Sequence, residues 1–335
     1  GGEARQLGNV DKARLDQPVW APDSSAIAFY DHTGVNHVVD LNGDMSQVSA
    51  SRRGAATDYQ WSPDSKWLTF SALRQEGNTA IQLWSRETGE IVQATDGFFS
   101  EYGPRFSTDG KHLFFLSDRE FAPQIGQFEW NYVANRATGI FALALNEDSG
   151  NPFGPRNDEA SEQEMGKKEK EDKDDKSEVS VRIDMNGLAD RLIRVPVDAD
   201  RIQGLVPLED QLLYVTSGAF YYGRESDRKS VLHSLDFEKR ESSEIAKDVQ
   251  GVAVSGDGNF VVVRSNGTLQ RIKIAEPKDP ESISLDNLYV TRTPSVEWGV
   301  IFDETWRRFR DYFYVRNMHG YDWEALRDRY RPLLT

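Results

Sequence analysis

Hydrophobic positions along this chain come in short alternating bursts separated by turn-forming residues. Trp67-Leu68-Thr69-Phe70, Ala80-Ile81-Gln82-Leu83-Trp84 and Glu90-Ile91-Val92-Gln93-Ala94 are strand-length runs. The turn that opens such a run recurs. Trp20-Ala21-Pro22-Asp23, followed by Ile27 and Phe29, is echoed by Trp61-Ser62-Pro63-Asp64, followed by Leu68 and Phe70. Further copies are Phe106-Ser107-Thr108-Asp109-Gly110 and Val254-Ser255-Gly256-Asp257-Gly258, and Val206 to Tyr214 is a degenerate one built on Glu209-Asp210. In each, an apolar residue closes one strand and Asp accepts backbone bonds in a tight turn. Alternating apolar residues then start the next strand.

The copies are spaced by about 41, 45 and 48 residues. Four short strands per unit of this length is the pattern of a propeller blade. Blades start near residues 18, 58, 102, 202 and 250, and the gap from 106 to 206 has room for one widely interrupted blade or two. The predicted fold is mainly β. It is a β-propeller of four-stranded antiparallel blades over 1–292, either five blades or part of an incomplete seven-bladed ring. A short α-helical segment follows over 293–335.

Two stretches depart from the blade pattern. Residues 156–178 hold no aromatic and no β-branched residue, and Lys167 to Lys176 is nearly all charge. Such a segment buries too little apolar surface to offset its ordering entropy and is expected to be a disordered loop or an acidic partner-binding one. After Thr293-Pro294 the period becomes helical, with Trp298, Ile301, Phe302, Trp306, Phe309 and Phe313 on one side. Pro294 suits a first helical turn. Gly320 is expected to end that helical region and Asp322 to cap a second short helix that stops before Pro332. Two helices this rich in aromatics cannot cover each other's apolar faces.

Charge narrows the function. Forty Lys and Arg against fifty-five Asp and Glu give a net charge of −15, which disfavours nucleic acid as a partner. No run of eighteen apolar residues is present, so no helix is expected to span a membrane. With no cysteine, disulfides, thiolate metal sites and a cysteine nucleophile are excluded. The opening Gly1-Gly2-Glu3 reads as a cut or cloned start, which leaves a signal peptide undecided.

Catalytic motifs are missing: there is no G-x-S-x-G elbow, P-loop, dinucleotide fingerprint or H-E-x-x-H. The five histidines are scattered. His32 and His37 straddle Gly34, as across a hairpin, without an evident third metal ligand, and are expected to be solvated strand-end residues. His112 and His233 read as strand positions. Asp40-Leu41-Asn42-Gly43-Asp44 lacks the sixth-position Gly and distal Glu of a calcium loop and reads as a turn. No catalytic residue, metal or cofactor is assigned. The peptide-contact candidates are Tyr102, Arg105, Arg119, Phe128, Trp130, Tyr132 and Tyr222. Phe128, Trp130 and Tyr132 alternate, so one side of a strand would present three aromatics, for inter-blade packing or for a ligand at the propeller mouth.

Trp-Ser-Pro-Asp repeats resemble many propellers, TolB and dipeptidyl-peptidase types among them. Two longer stretches are more specific. Phe114 to Arg119, then Gln127 to Tyr132 and Ile140 to Leu143, resemble the C-terminal propeller of tricorn-type serine proteases. Asp303 to Arg307, Arg310 to Tyr314 and Asn317 to Trp323 resemble the opening helices of their core. The resemblance implies a large peptidase with tandem propellers, a helical core, a PDZ-like domain and a tail-specific-protease-like domain that carries the nucleophile. It places the triad histidine beyond this chain, so His319 receives no catalytic role and the chain alone is expected to be inactive. It implies peptide substrates, the missing downstream domains as partners, and a homo-oligomer at full length. A cytoplasmic location is implied, with a periplasmic or exported one as the alternative.

The resulting expectation is a non-catalytic propeller region that guides or filters peptides toward a protease core. The rival is a stand-alone TolB-like propeller that binds a protein or peptide, which leaves the last forty residues unexplained. A propeller lyase or sugar hydrolase would need convergent acids that no motif identifies.

Overall fold

The computed structural model describes residues 5–10, 14–51, 54–120, 124–125, 132–133, 136–154, 179–219, 222–226 and 228–334, with 124–125 and 132–133 as backbone only. The chain forms two compact units, Gly1–Ile283 and Ser284–Thr335.

The described residues of the first unit form five four-stranded antiparallel sheets and one two-stranded hairpin. Blade 1 comprises β1 (Leu15–Trp20), β2 (Ala26–Asp31), β3 (Val35–Asp40) and β4 (Met45–Ala50). Blade 2 comprises β5 (Gln60–Trp61), β6 (Trp67–Leu73), β7 (Thr79–Ser85) and β8 (Ile91–Gln93). Blade 3 is built from β9 (Glu101–Phe106), β10 (His112–Ser117), β13 (Gly139–Ala144) and β14 (Leu192–Arg194). A two-stranded hairpin, β11 (Gln124–Ile125) with β12 (Tyr132–Val133), lies between its second and third strands in sequence. Blade 4 runs through β15 (Ile202–Pro207), β16 (Gln211–Thr216), β17 (Val231–Asp236) and β18 (Glu241–Lys247). Blade 5 runs through β19 (Val249–Val254), β20 (Phe260–Ser265), β21 (Thr268–Lys273) and β22 (Glu281–Ile283). The long gap therefore holds one interrupted blade, whose strands pair in the order β9-β10-β13-β14.

The repeated turn is locked by its own side chains. Ser62 Oγ donates to Asp64 Oδ1 at 2.6 Å and accepts from Trp67 N–H at 2.9 Å. Ser107 does the same with Asp109 and His112, and Ser255 with Asp257 and Phe260. A serine two residues before the aspartate thus closes the turn and starts the second strand in register. Glu209-Asp210 lacks that serine.

Strand periodicity assembles the core. On β10, Leu113 and Phe115 join Ile81 and Leu83 of blade 2, while Phe114 and Leu116 join Leu205 and Leu212 of blade 4. On β13, Phe141 and Leu143 face one cluster and Ile140, Ala142 and Ala144 the other. Two more clusters join blade 1 to blade 2 and blade 4 to blade 5.

Hydrogen bonds also step from blade to blade in one direction. Tyr59 Oη and Trp61 Nε1 of blade 2 donate to the carbonyls of Gln17 and Val19, the latter at 3.2 Å. Phe106 N–H of blade 3 donates to Gln60 Oε1 at 2.8 Å. The first strands therefore run side by side in parallel. One end of the unit collects their starts together with the loops joining second to third strands, and is called the loop rim below. The other end collects the repeated turns.

In the second unit, α1 (Pro294–Tyr312) has Pro at its start, and α2 (Trp323–Tyr330) is capped by Asp322, which accepts from Ala325 N–H at 2.9 Å. The first helix ends at Tyr312, not at Gly320: Phe313 is extended, and Met318 and His319 take left-handed φ values. Trp306 and Trp323 each donate an indole N–H to the other's carbonyl, at 3.0 and 3.1 Å, and their rings stack. Trp298, Ile301 and Phe309 stay exposed. No helix among the described residues is long and apolar enough to cross a membrane.

Candidate functional site

Among the described candidates, Tyr102, Arg119 and Tyr222 trace to the loop rim around blades 3 and 4. Tyr102, at the start of β9, donates to Asp118 Oδ1 at 3.0 Å and lies 3.2 Å from Thr138 Oγ1, which donates to the same oxygen at 2.8 Å. Burial, with Asp118 alongside, pushes the Tyr102 hydroxyl up to about 12, so it remains a neutral donor. Arg119 pairs with Glu101, which is 0% exposed, and donates through Nε to Ser117 Oγ at 3.0 Å. Its guanidinium lies over Phe141 and Phe99, at 4.7 and 5.4 Å from the ring centroids. Burial pushes the Glu101 carboxyl above its ordinary value, against the pull of Thr95 and Arg119.

These contacts tie Tyr102 and Arg119 to neighbouring side chains of blade 3. Asp118 and Arg119 begin the excursion between β10 and β13, and Thr138 ends it, so the two clusters hold both of its ends. Phe128 and Trp130 lie outside the described residues, as does the side chain of Tyr132, whose backbone pairs with Ile125. Arg105 lies further along β9. It donates to the carbonyls of Asp58 and Pro104, at 3.0 and 2.8 Å, in the seam between blades 2 and 3. Burial lowers its pKa, with Asp58 opposing. Tyr222, in the loop between β16 and β17, is 98% exposed. Among the described candidates it is the most open to a passing ligand.

A groove between blades 3 and 4 escaped the sequence reading. Its volume is about 390 Å³. Tyr214, Thr216, Val231, His233, Ser242 and Glu244 line it from three strands of blade 4, and the 196–200 link lines the other side. Arg228 is bidentate to Asp200, at 2.8 and 2.7 Å, and also donates to Ser217 O. Backbone bonds between Thr138 and Asp200, at 3.2 and 3.1 Å, join this groove to the Tyr102 cluster. No sequence signal announces it, because its charged partners lie 28 residues apart in unrepeated links.

The other motifs are structural. His32 Nδ1 accepts from Arg14 N–H at 3.1 Å, and His37 Nε2 lies 2.8 Å from Asp31 Oδ2 and stacks on Phe29. His37 is thus largely buried, contrary to the solvated position expected of it, because the Asp31 carboxylate gives its ring a partner. Asp40 accepts from the N–H groups of Asn42 and Asp44, closing a turn around Gly43. Among the described residues, no group of three or more His, Asp or Glu is arranged to hold a metal.

Over residues 1–275 the sequence matches the model of the tricorn protease second beta propeller domain. This chain belongs to the tricorn protease family. Residues 294–335 match the tricorn protease C1 domain. Tricorn protease homolog 1 of Streptomyces coelicolor is 30% identical over 354 residues, a match covering 100% of this chain and 32% of the relative. The tricorn protease of Thermoplasma acidophilum is 24% identical over 312 residues, covering 88% of this chain and 27% of the relative. A crystal structure of the tricorn protease shares the fold, with a TM-score of 0.78 at 20% identity over 96% of this chain and 31% of that one. The chain spans between 26% and 38% of the length of the tricorn relatives it matches.

Proposed function

We propose that this chain is the non-catalytic propeller region of a tricorn-like serine peptidase, guiding or filtering peptides toward the protease core. The observation that carries the reading is the succession of two tricorn domain matches, the second propeller over 1–275 and the C1 domain over 294–335. Its domains are a propeller over 1–292 and the opening of the core from 293. Catalysis needs a nucleophile, its base and an oxyanion donor held together, and none of the positions singled out supplies that set. The loop rim suits passage of unfolded peptide: Tyr222 is solvated there, and the Tyr102 and Arg119 clusters fix the root of the neighbouring excursion. Peptide substrates, the downstream domains as partners, homo-oligomerisation of the parent protein and a cytoplasmic location belong to the same proposal.

The test compares long unstructured peptides with short chromogenic ones as substrates of the parent protein. Tyr222→Ala is expected to slow hydrolysis of the long substrates severalfold and to leave the short ones unchanged. Equal effects on both, or hydrolysis by the 335-residue chain alone, would overturn the reading. A stand-alone binding propeller accounts for the sheets and leaves the C1 match without a purpose.

A further inference from the structure

We infer that the groove between blades 3 and 4 is a binding site for one cationic side chain, arginine or lysine, of an extended peptide. The inference rests on the peptide-guiding reading and adds a substrate preference to it. At about 390 Å³ the cavity falls in the lower part of the range of about 300–1,000 Å³ typical of ligand pockets.

The charge of the lining decides the class of ligand. Asp198, Asp200 and Glu244 stand against one cation, Arg228. Arg228 is committed to Asp200 by two bonds and to the Ser217 carbonyl by a third, and Asp200 also accepts from Arg201 N–H at 2.7 Å. That pair neutralises itself and gives the groove a fixed wall. Asp198 makes no hydrogen bond or ion pair among the described residues. Glu244 pairs with Lys247 at 3.0 Å, but both side chains are solvated, so the pairing is weak and easily exchanged. Arg136, a further cation near the edge, is mostly exposed and stands 3.7 Å from the already paired Asp200.

His233 does not add a cation. Its Nε2 lies 2.9 Å from Thr216 Oγ1, its ring stacks on Tyr214 at 4.9 Å, and burial holds its pKa below the ordinary value against the pull of Glu244 and Asp200. The stacked rings, with Val197 and Val231, offer an apolar wall for the methylene stem of a long basic side chain. Asp198 and Glu244 then accept from its charged head.

The test is fluorescence anisotropy with the 335-residue chain and two labelled unstructured decapeptides, differing only in a central arginine or citrulline. Citrulline keeps the shape and removes the charge. The arginine peptide is expected to bind about tenfold more tightly, and the double variant Asp198→Asn with Glu244→Gln to abolish the difference. Both changes are isosteric and lie on solvated side chains, and a thermal melt checks the fold. Glu209→Gln with Asp210→Asn, at the opposite end of blade 4, is expected to preserve the difference. Equal binding of the two peptides would overturn the groove assignment and leave peptide guidance standing. So would a difference that survives the groove variant or disappears in the distal one. Absence of binding by either peptide would overturn both.

Discussion

Blade 3 and blade 5 use the same strand order, yet their strands are buried differently. Every residue of β13, Gly139 to Ala144, is buried, and so are five of the six in β10. In β21 only Ile272 is fully buried, and in β20 only Val261 and Val263 are. The difference follows from neighbours. Blade 3 has apolar clusters on both faces, whereas the described residues form a cluster on one face of blade 5, the one toward blade 4. The sequences carry the same distinction. Gly-Ile-Phe-Ala-Leu-Ala is a continuous apolar run, whereas Thr-Leu-Gln-Arg-Ile-Lys holds only two apolar residues, Leu269 and Ile272.

Substitutions can sharpen that contrast. Phe115→Ala removes a fully buried ring from the cluster between blades 2 and 3. It should cost about 3–5 kcal/mol, read as a shift in the denaturant midpoint at constant slope. Arg119→Ala leaves the Glu101 carboxylate buried without its cation. A loss of about 3 kcal/mol is expected, part of it recovered when Glu101→Gln is added, and a double-mutant cycle measures the recovery. In blade 5 the two faces should separate adjacent residues. Val261→Ala, on the covered face, should cost about 2 kcal/mol, and Val262→Ala under about 0.5 kcal/mol; similar losses from both would mean that something covers the second face.

The smallest effect belongs to a turn. The Asp257 carboxyl is held down to about 2, first by the Ser255 hydroxyl and then by Asn259. Because its folded value lies below the ordinary 3.8, its contribution to stability is present above that ordinary value and is lost as pH falls through about 2. An NMR titration should place the midpoint near 2, and Ser255→Ala should move it toward the ordinary value.

What the sequence disclosed follows the range of each interaction. The Ser-x-Asp turn, the Pro294 start and the Asp322 cap are contacts within a few residues, and all were legible. The count of blades between 106 and 206 was not. The third and fourth strands of blade 3 pair Leu143 with Leu192, and no local signal assigns a strand to a partner so far along the chain. The end of the first helix was misplaced because aromatic spacing continues through Phe313 while the backbone turns extended there. Among the site residues, composition singled out Tyr102 and Arg119 but could not reveal that Asp118, Thr138 and Glu101 occupy them. The Asp200–Arg228 groove exists only once the 196–200 link lies against the strands of blade 4.

Blade 3 receives β14 from beyond the charged stretch, and this bears on what a cut chain would do. Cleavage anywhere within 155–178 leaves β9, β10 and β13 on one piece and β14, at the head of blades 4 and 5, on the other. Neither piece owns a finished third blade. Rejoining them would therefore be strand complementation, with one edge strand completing a sheet begun by the other fragment, and a two-plasmid split at this position should reassemble without a linker.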